Sequence, residues 1–356
     1  MDSGKQTTTK ETSGSRRIGS ALLRYGVPLT VSVVLCWLLF RGVDWREMIR
    51  IIREQCNFWW IGLAMVLTVL SHVIRALRWG IQLNGLGIKV PVFPLILSIF
   101  GTYAVNLIFP RLGEFWRTAY ISQRQHQPFD RVFGSMIADR LADTITVGLL
   151  VLATLGIAGK AMVDYLGQNQ AAYERLMGWL TCPWLWVGVV AALAALFLLY
   201  RLFRNNALVV KIKDFCIGIW KGFAVIATMP GKGRWLVLTV LLWGCYFTQL
   251  LLCFFAFPAT TDVVLKCGVQ AAFVVWVFSS MAMGVPSNGG IGPWQWAVIF
   301  GLSLYATAVP QLTTEFSTAF ANLVMGCNTA LLILLGLFTF LCIAIEKRRT
   351  GARKPN

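Results

Sequence analysis

Long stretches without a charged residue alternate with short basic segments along this chain. Uncharged runs cover 55–74, 90–110, 176–200, 235–261, 267–314 and 316–345, and a shorter one covers 25–40. The hydrocarbon core of a bilayer needs about 20 apolar residues of helix, so these runs predict a bundle of transmembrane helices. Nine hydrophobic segments are read near 22–41, 57–79, 91–110, 134–158, 180–200, 235–257, 266–285, 291–309 and 318–344. The 48 uncharged residues from 267 to 314 would make a helix of roughly 70 Å, far longer than one bilayer. The break is placed at "GVPSNGGIGP", where Pro286, Gly289, Gly290, Gly292 and Pro293 cannot continue a regular helix. The fold class is therefore all-α and polytopic, with about eight transmembrane helices plus one or two re-entrant or broken helices. An inverted repeat is left open.

Basic residues set the expected orientation. Five lie in 1–24, seven in 201–234 and five in 347–354, whereas 301–317 has none. All three basic regions are expected in the cytoplasm, so the number of crossings must be even. The segment 91–110, with Pro91, Pro94, Gly101 and Pro110, is the one expected to enter and return without crossing. That choice places 111–131 inside and leaves 41–57 outside, where four basic residues accompany three acids. Residues 1–20 are expected to form a disordered basic tail, 21–345 the transmembrane domain and 346–356 a basic cytoplasmic tail. Within the domain, 205–230 mixes lysines with Phe215, Ile219, Trp220 and Phe223. Such a mixture suits an amphipathic connector on the inner membrane surface.

Composition agrees with the pattern. Of 356 residues, 57% are hydrophobic and only 13% charged, where a soluble domain is closer to a quarter charged. The formal charge of +17 would point to nucleic acid in a soluble protein, but here it follows the positive-inside rule. No nucleic-acid partner is expected. Eight of the nine cysteines lie inside uncharged runs and no CxxC pair occurs, which fits small buried hydrophobes.

Some polar residues sit where lipid should be. Only 16 uncharged residues, 144–159, separate Asp143 from Lys160, so that helix must draw Asp139, Arg140 and Asp143 into the membrane. Each such group costs at least about 2.5 kcal/mol at bilayer depth, so they should be paired or turned to a cavity. Asp139 and Asp143 share a helix face, and Arg140 lies three residues from Asp143. "SHVIRALRW" places His72, Arg75, Arg78 and Trp79 at the inner end of another segment. Taken alone, these read as snorkelling arginines with an interfacial tryptophan. With Glu114, Arg117, Asp139, Arg140 and Asp143 they tilt towards a shared polar cavity, and a purely structural ion network is the alternative. Catalytic patterns are thin: two histidines, no HExxH, no GxSxG elbow, no P-loop and no Rossmann glycines. No cofactor or metal is expected.

Four stretches together carry a resemblance: "RALRW" at 75–79, "NLIFPRLGEFWR" at 106–117, "ADRLADTITVGLLVL" at 138–152 and "VPSNGGIGPWQ" at 285–295. They resemble the lysylphosphatidylglycerol synthase/flippase membrane region, also called flippase-like integral membrane proteins. The family's first loop motif, a proline, Gly-Glu and a basic residue, is met here by Pro110, Gly113, Glu114 and Arg117. Its next helix begins with an acid or polar residue, Arg-Leu and an acid, as Asp139, Arg140, Leu141 and Asp143 do. Its later motif, Pro-x-Pro-Gly-Gly-Leu-Gly with a glutamate three positions on, is matched at Pro286, Gly289, Gly290 and Gly292. Asn288 replaces the second proline and Gln295 the glutamate, which weakens the case for a cationic aminoacylated substrate. Bifunctional members carry a soluble aminoacyl-transfer domain after the membrane region. The chain ends shortly after its last hydrophobic segment, so that domain is not expected.

The resemblance implies a lipid flippase or lipid-headgroup transporter of a bacterial cytoplasmic membrane, with both termini inside. Helices broken by Gly or Pro in two different halves mark a transporter's binding site. The expected substrate-binding residues are Arg75, Arg78, Asn106, Glu114, Arg117, Asp139, Arg140, Asp143, Asn288, Gly289, Gly290 and Gln295. The arginines would meet phosphate through their planar fork, while Glu114, Asp139 and Asp143 orient them or bind a cationic group. The expected partners are membrane lipids with a phosphate headgroup; a homo-oligomer or a separate lipid-modifying enzyme is left open. Two other functions stand beside the transporter, a membrane-embedded lipid-modifying transferase and a non-catalytic subunit that recruits an enzyme.

Overall fold

A computed structural model describes residues 45–168, scattered positions between 174 and 201, and 229–351 apart from 286. The expected tail 1–20, the segment 22–41, nearly all of the connector 205–230 and residues 352–356 lie outside them, and 180–200 is described only in part.

Every described element is helical. A short amphipathic helix, α1 (Trp45–Gln55), leads into α2 (Phe58–Gly85). The Asn57 side chain caps α2 by accepting from the Trp59 amide at 3.1 Å. α3 (Val92–Ile108) follows and stops before Pro110, which has no amide proton to extend a helix. Arg111 then takes a left-handed conformation, φ 62°, and α4 (Leu112–Gln125) runs back along α3. Trp116 abuts Gly101, and Gly113 abuts Thr102 and Asn106. A Cβ at Gly113 would lie 2.1 Å from the Thr102 carbonyl oxygen, so only glycine permits this close antiparallel pairing. α5 (Phe129–Gln168) completes the first half.

The second half repeats the plan with one additional helix. α6 (Lys232–Phe254) is followed by α7 (Pro258–Cys267), α8 (Val269–Ala282), α9 (Pro293–Ser303) and α10 (Thr314–Gly351). α8 and α9 pair as α3 and α4 do: Gly301 packs on Val275, and the Phe278 and Phe300 rings lie 5.6 Å apart. α2 and α6 run antiparallel, since Asn57 bonds Ala256 at one end and Ile81 packs on Gly231 at the other. The halves thus follow one order in opposite directions, a long helix, a hairpin of two short helices and a second long helix, with α7 inserted in the second half. Each second long helix packs on the first limb of the other half's hairpin, α5 on α8 and α10 on α3. Ala104 and Gly336 meet at the latter contact.

Among the described residues, four helices are long and apolar enough to cross a bilayer: Phe58–Gly85, Phe129–Ile157, Lys232–Phe254 and Thr314–Arg348. α7 and α8, bent by 114° at Gly268, would make a fifth if counted as one span. Two expectations change here. The segments 266–285 and 291–309 are not two full crossings, because α8 has 14 residues and α9 has 11. Those lengths reach only about 21 and 17 Å at 1.5 Å per residue, against about 30 Å of hydrocarbon. The return limb of the first hairpin is also not contained in 91–110. It is α4, which carries Glu114 and Arg117 back beside α3.

Candidate functional site

Asp139 and Asp143 lie one turn apart on α5, on the face turned to α2 and α4. Arg78 of α2 donates through Nη2 to both, at 2.6 Å to Asp139 and 2.7 Å to Asp143. One turn earlier, Arg75 Nη1 reaches Asp143 at 2.9 Å and stands 3.8 Å from Asp139. The Nε of Arg75 donates to the Tyr246 hydroxyl of α6 at 3.1 Å. Arg117 of α4 completes the group with a longer bond to Asp139, 3.4 Å. Its guanidinium lies 4.5 Å over the Trp79 ring, and Trp79 is fixed by donating to Ser135 Oγ at 3.1 Å.

A second, shallower pair adjoins this one. Arg140 Nη2 meets Glu114 at 3.3 Å, and its Nη1 stands 3.9 Å from Asp143. Asn106 holds Glu114 from α3, donating at 3.3 Å, and accepts the Gly113 amide at 2.8 Å. Burial separates the two layers. Arg78, Arg117 and Asp139 are wholly buried and Arg75 is 4% exposed, whereas the side chains of Arg140 and Glu114 are 35% and 17% exposed. The reading of Arg75, Arg78 and Trp79 as snorkelling arginines beside an interfacial tryptophan is overturned. Their charged heads are packed inside protein, and Trp79 has no exposed surface.

Both helix breaks meet next to this layer. Arg111, at the turn of the first hairpin, donates to the Gly284 carbonyl in the turn of the second. Gly289 packs on Leu107 and Gly290 on Met283, with φ of +63° and +87°. A side chain there would be strained by the backbone alone. Asn288, beside them, leaves its Oδ1 without a partner. Gln295 departs from its expected role. It is 3% exposed, accepts the Gly292 amide at 2.6 Å and donates to Asn322 at 3.2 Å. The neutral side chain that replaces the expected glutamate is therefore a helix cap and an inter-helix tie, facing α10.

Sequence reasoning collected Arg75, Arg78, Glu114, Arg117, Asp139, Arg140 and Asp143, and the fold brings all seven together with Asn106. It missed Tyr246 and the platform role of Trp79. Tyr246 left one signal, a hydroxyl-bearing ring within the uncharged run 235–261. His72 lies buried next to Arg75, stacked on Tyr103 at 4.3 Å, and neither ring nitrogen has a hydrogen-bond partner. Among the described residues, no three His, Cys, Asp or Glu side chains converge as metal ligands.

Inverted halves, short helical hairpins and a buried ion network define a multi-pass membrane protein with a polar centre built on discontinuous helices. The chain belongs to the family of the lysylphosphatidylglycerol synthase transmembrane region, whose model matches residues 26–338. Two curated relatives are similar over part of their length. A UPF0104 membrane protein of Pyrococcus horikoshii is 27% identical over 183 residues, 49% of this chain and 53% of that protein. The glycosyltransferase AglD of Haloferax volcanii is 28% identical over 141 residues, 39% of this chain and 22% of that protein. The chain thus spans about half of the first relative and about a fifth of the second. No solved structure matches it.

Proposed function

We propose that this protein moves a phosphate-linked lipid headgroup across the cytoplasmic membrane, while the lipid tails stay in the bilayer. The observation that carries the reading is the ion network of α2, α4 and α5, set beside two helix breaks that touch through Arg111 and Gly284. Ionisable groups at membrane depth are costly and tend to mark substrate paths. Broken helices with free backbone groups, in inverted halves, are how secondary transporters build such sites. Arg140 and Glu114 form the lip, because they are the members of the network with the most exposed side chains. Arg111 adds a further cation at the turn. The test is reconstitution of the full chain in proteoliposomes with fluorescent phospholipids and a membrane-impermeant quencher. Accelerated exchange of phosphate-bearing lipid supports the reading; exchange at the rate of empty vesicles refutes it.

A second reading has one observation behind it, the similarity to a protein named a glycosyltransferase. On that reading the chain serves the membrane step of a lipid-modifying transferase. Incubating the purified protein with activated sugar or aminoacyl donors and lipid separates the two, since a transporter leaves the lipid's mass unchanged.

A further inference from the structure

The ion network does not balance. Arg75, Arg78, Arg117 and Arg140 face Asp139, Asp143 and Glu114, so four guanidinium groups meet three carboxylates. Arginine cannot shed its proton in a protein, so one positive charge is left over in a site where uncompensated charge is expensive. The carboxylates are shared unevenly. Arg78 meets both aspartates at short range through a single nitrogen, which leaves its own Nε and Nη1 without a partner, and Arg75 reaches Asp143 and Tyr246. Arg117 has one long hydrogen bond, 3.4 Å to Asp139, and the Trp79 face against its guanidinium, and its Nε and Nη1 have no partner although the side chain is wholly buried. Arg140 likewise keeps a free Nε, and its guanidinium repels that of Arg117. Water could occupy the free donors, but it would leave the charge.

We infer that the network is completed by one monovalent phosphate group, of the kind a phosphodiester headgroup or free dihydrogen phosphate presents, held on the unpartnered donors of Arg117 and Arg140. Glu114 is the displaced ligand. It is partly exposed, and Asn106 can keep it as it lets go of Arg140. Glu114 stays on Asn106 beside the site, so the anion adds one negative charge next to Arg117 and Arg140 and balances the network. This deepens the headgroup-transport reading of the same residues and rests on it.

The experiment follows the melting temperature of the full chain in detergent, with and without added phosphatidylglycerol, diacylglycerol or inorganic phosphate. A ligand that binds only the folded state raises the melting temperature by several degrees at about a hundredfold excess over its Kd. Phosphatidylglycerol is expected to do so and diacylglycerol is not. Arg117→Met removes the surplus charge, so the variant is expected to melt higher than the parent without lipid and to lose the lipid response. Arg117→Lys, which keeps the charge and loses the fork, is expected to retain the parent's unliganded melting temperature with a weakened response. A parent that responds to no phosphate compound, or an Arg117→Met variant that keeps the full response, overturns the anion site. If inorganic phosphate stabilises the parent and phosphatidylglycerol does not, the anion site stands and the lipid-transport reading falls. Fast lipid exchange in proteoliposomes by both parent and Arg117→Met would leave transport standing and remove the site.

Discussion

Glu114 and Arg117 lie one turn apart on α4 and do not pair with each other. Glu114 meets Arg140 at 3.3 Å, and Arg117 turns to Asp139 at 3.4 Å beneath it. Two opposite charges three residues apart are thus committed to different residues of α5. Their roles can therefore be separated by mutation.

Glu114→Gln and Arg117→Ala should each slow lipid exchange, and combining them should restore nothing. A charge-assisted hydrogen bond to a desolvated group is worth about 1.5–3 kcal/mol, or roughly ten- to a hundredfold in rate. Coupling is expected with Arg140 instead. A double-mutant cycle of Glu114→Gln and Arg140→Gln, read by thermal unfolding, should give about 0.2–1 kcal/mol, the range for a partly exposed pair. A larger coupling between Glu114 and Arg117 would contradict the geometry.

Asp139→Asn should be the most damaging single change in the network. Asp139 is wholly buried and lies within ion-pair distance of Arg75, Arg78 and Arg117. Its neutralisation leaves four buried or half-buried arginines against two carboxylates, and breaking such a buried pair costs about 3–5 kcal/mol. Tryptophan fluorescence during thermal unfolding in detergent measures it. A change no greater than that of an exposed substitution such as Glu54→Gln would show that the network adds little to stability.

Gly289→Ala should destabilise the second hairpin. The left-handed backbone at φ +63° and the approach of Leu107, 2.6 Å from where the methyl would sit, both oppose it. Strained backbone of this kind costs on the order of 1–3 kcal/mol. Pairing it with Leu107→Ala should recover the steric part and leave the backbone part. Full recovery in the double variant would mean that backbone strain there is negligible.

Orientation is tested on a cysteine-free background. Arg353→Cys is expected to resist a membrane-impermeant thiol reagent applied from outside, while Gln311→Cys, exposed before α10, is expected to react. Reaction at position 353 would reverse the parity drawn from the basic segments.

What the sequence determined by itself was the membrane class, the position of the proline and glycine breaks, and the set of charges to be explained. Each follows from local rules. A run of apolar residues must be helical in lipid, proline is tolerated in a helix's first turn and breaks it further in, and aspartates four apart share a face. Which charge meets which was decided by the tertiary fold. Arg75 and Arg78 find Asp139 and Asp143 across more than sixty positions, and Tyr246 reaches Arg75 across 171, distances over which spacing carries no information. The roles of Gln295 and Trp79 also depended on packing. A glutamine reads as a headgroup ligand until its oxygen is seen to cap α9, and a tryptophan beside arginines reads as interfacial until it is seen under Arg117. The short hairpins changed the count of crossings for the same reason. An uncharged run states how much chain is shielded from water, but only the turns at Arg111 and Gly289 decide whether it passes through the membrane or folds back.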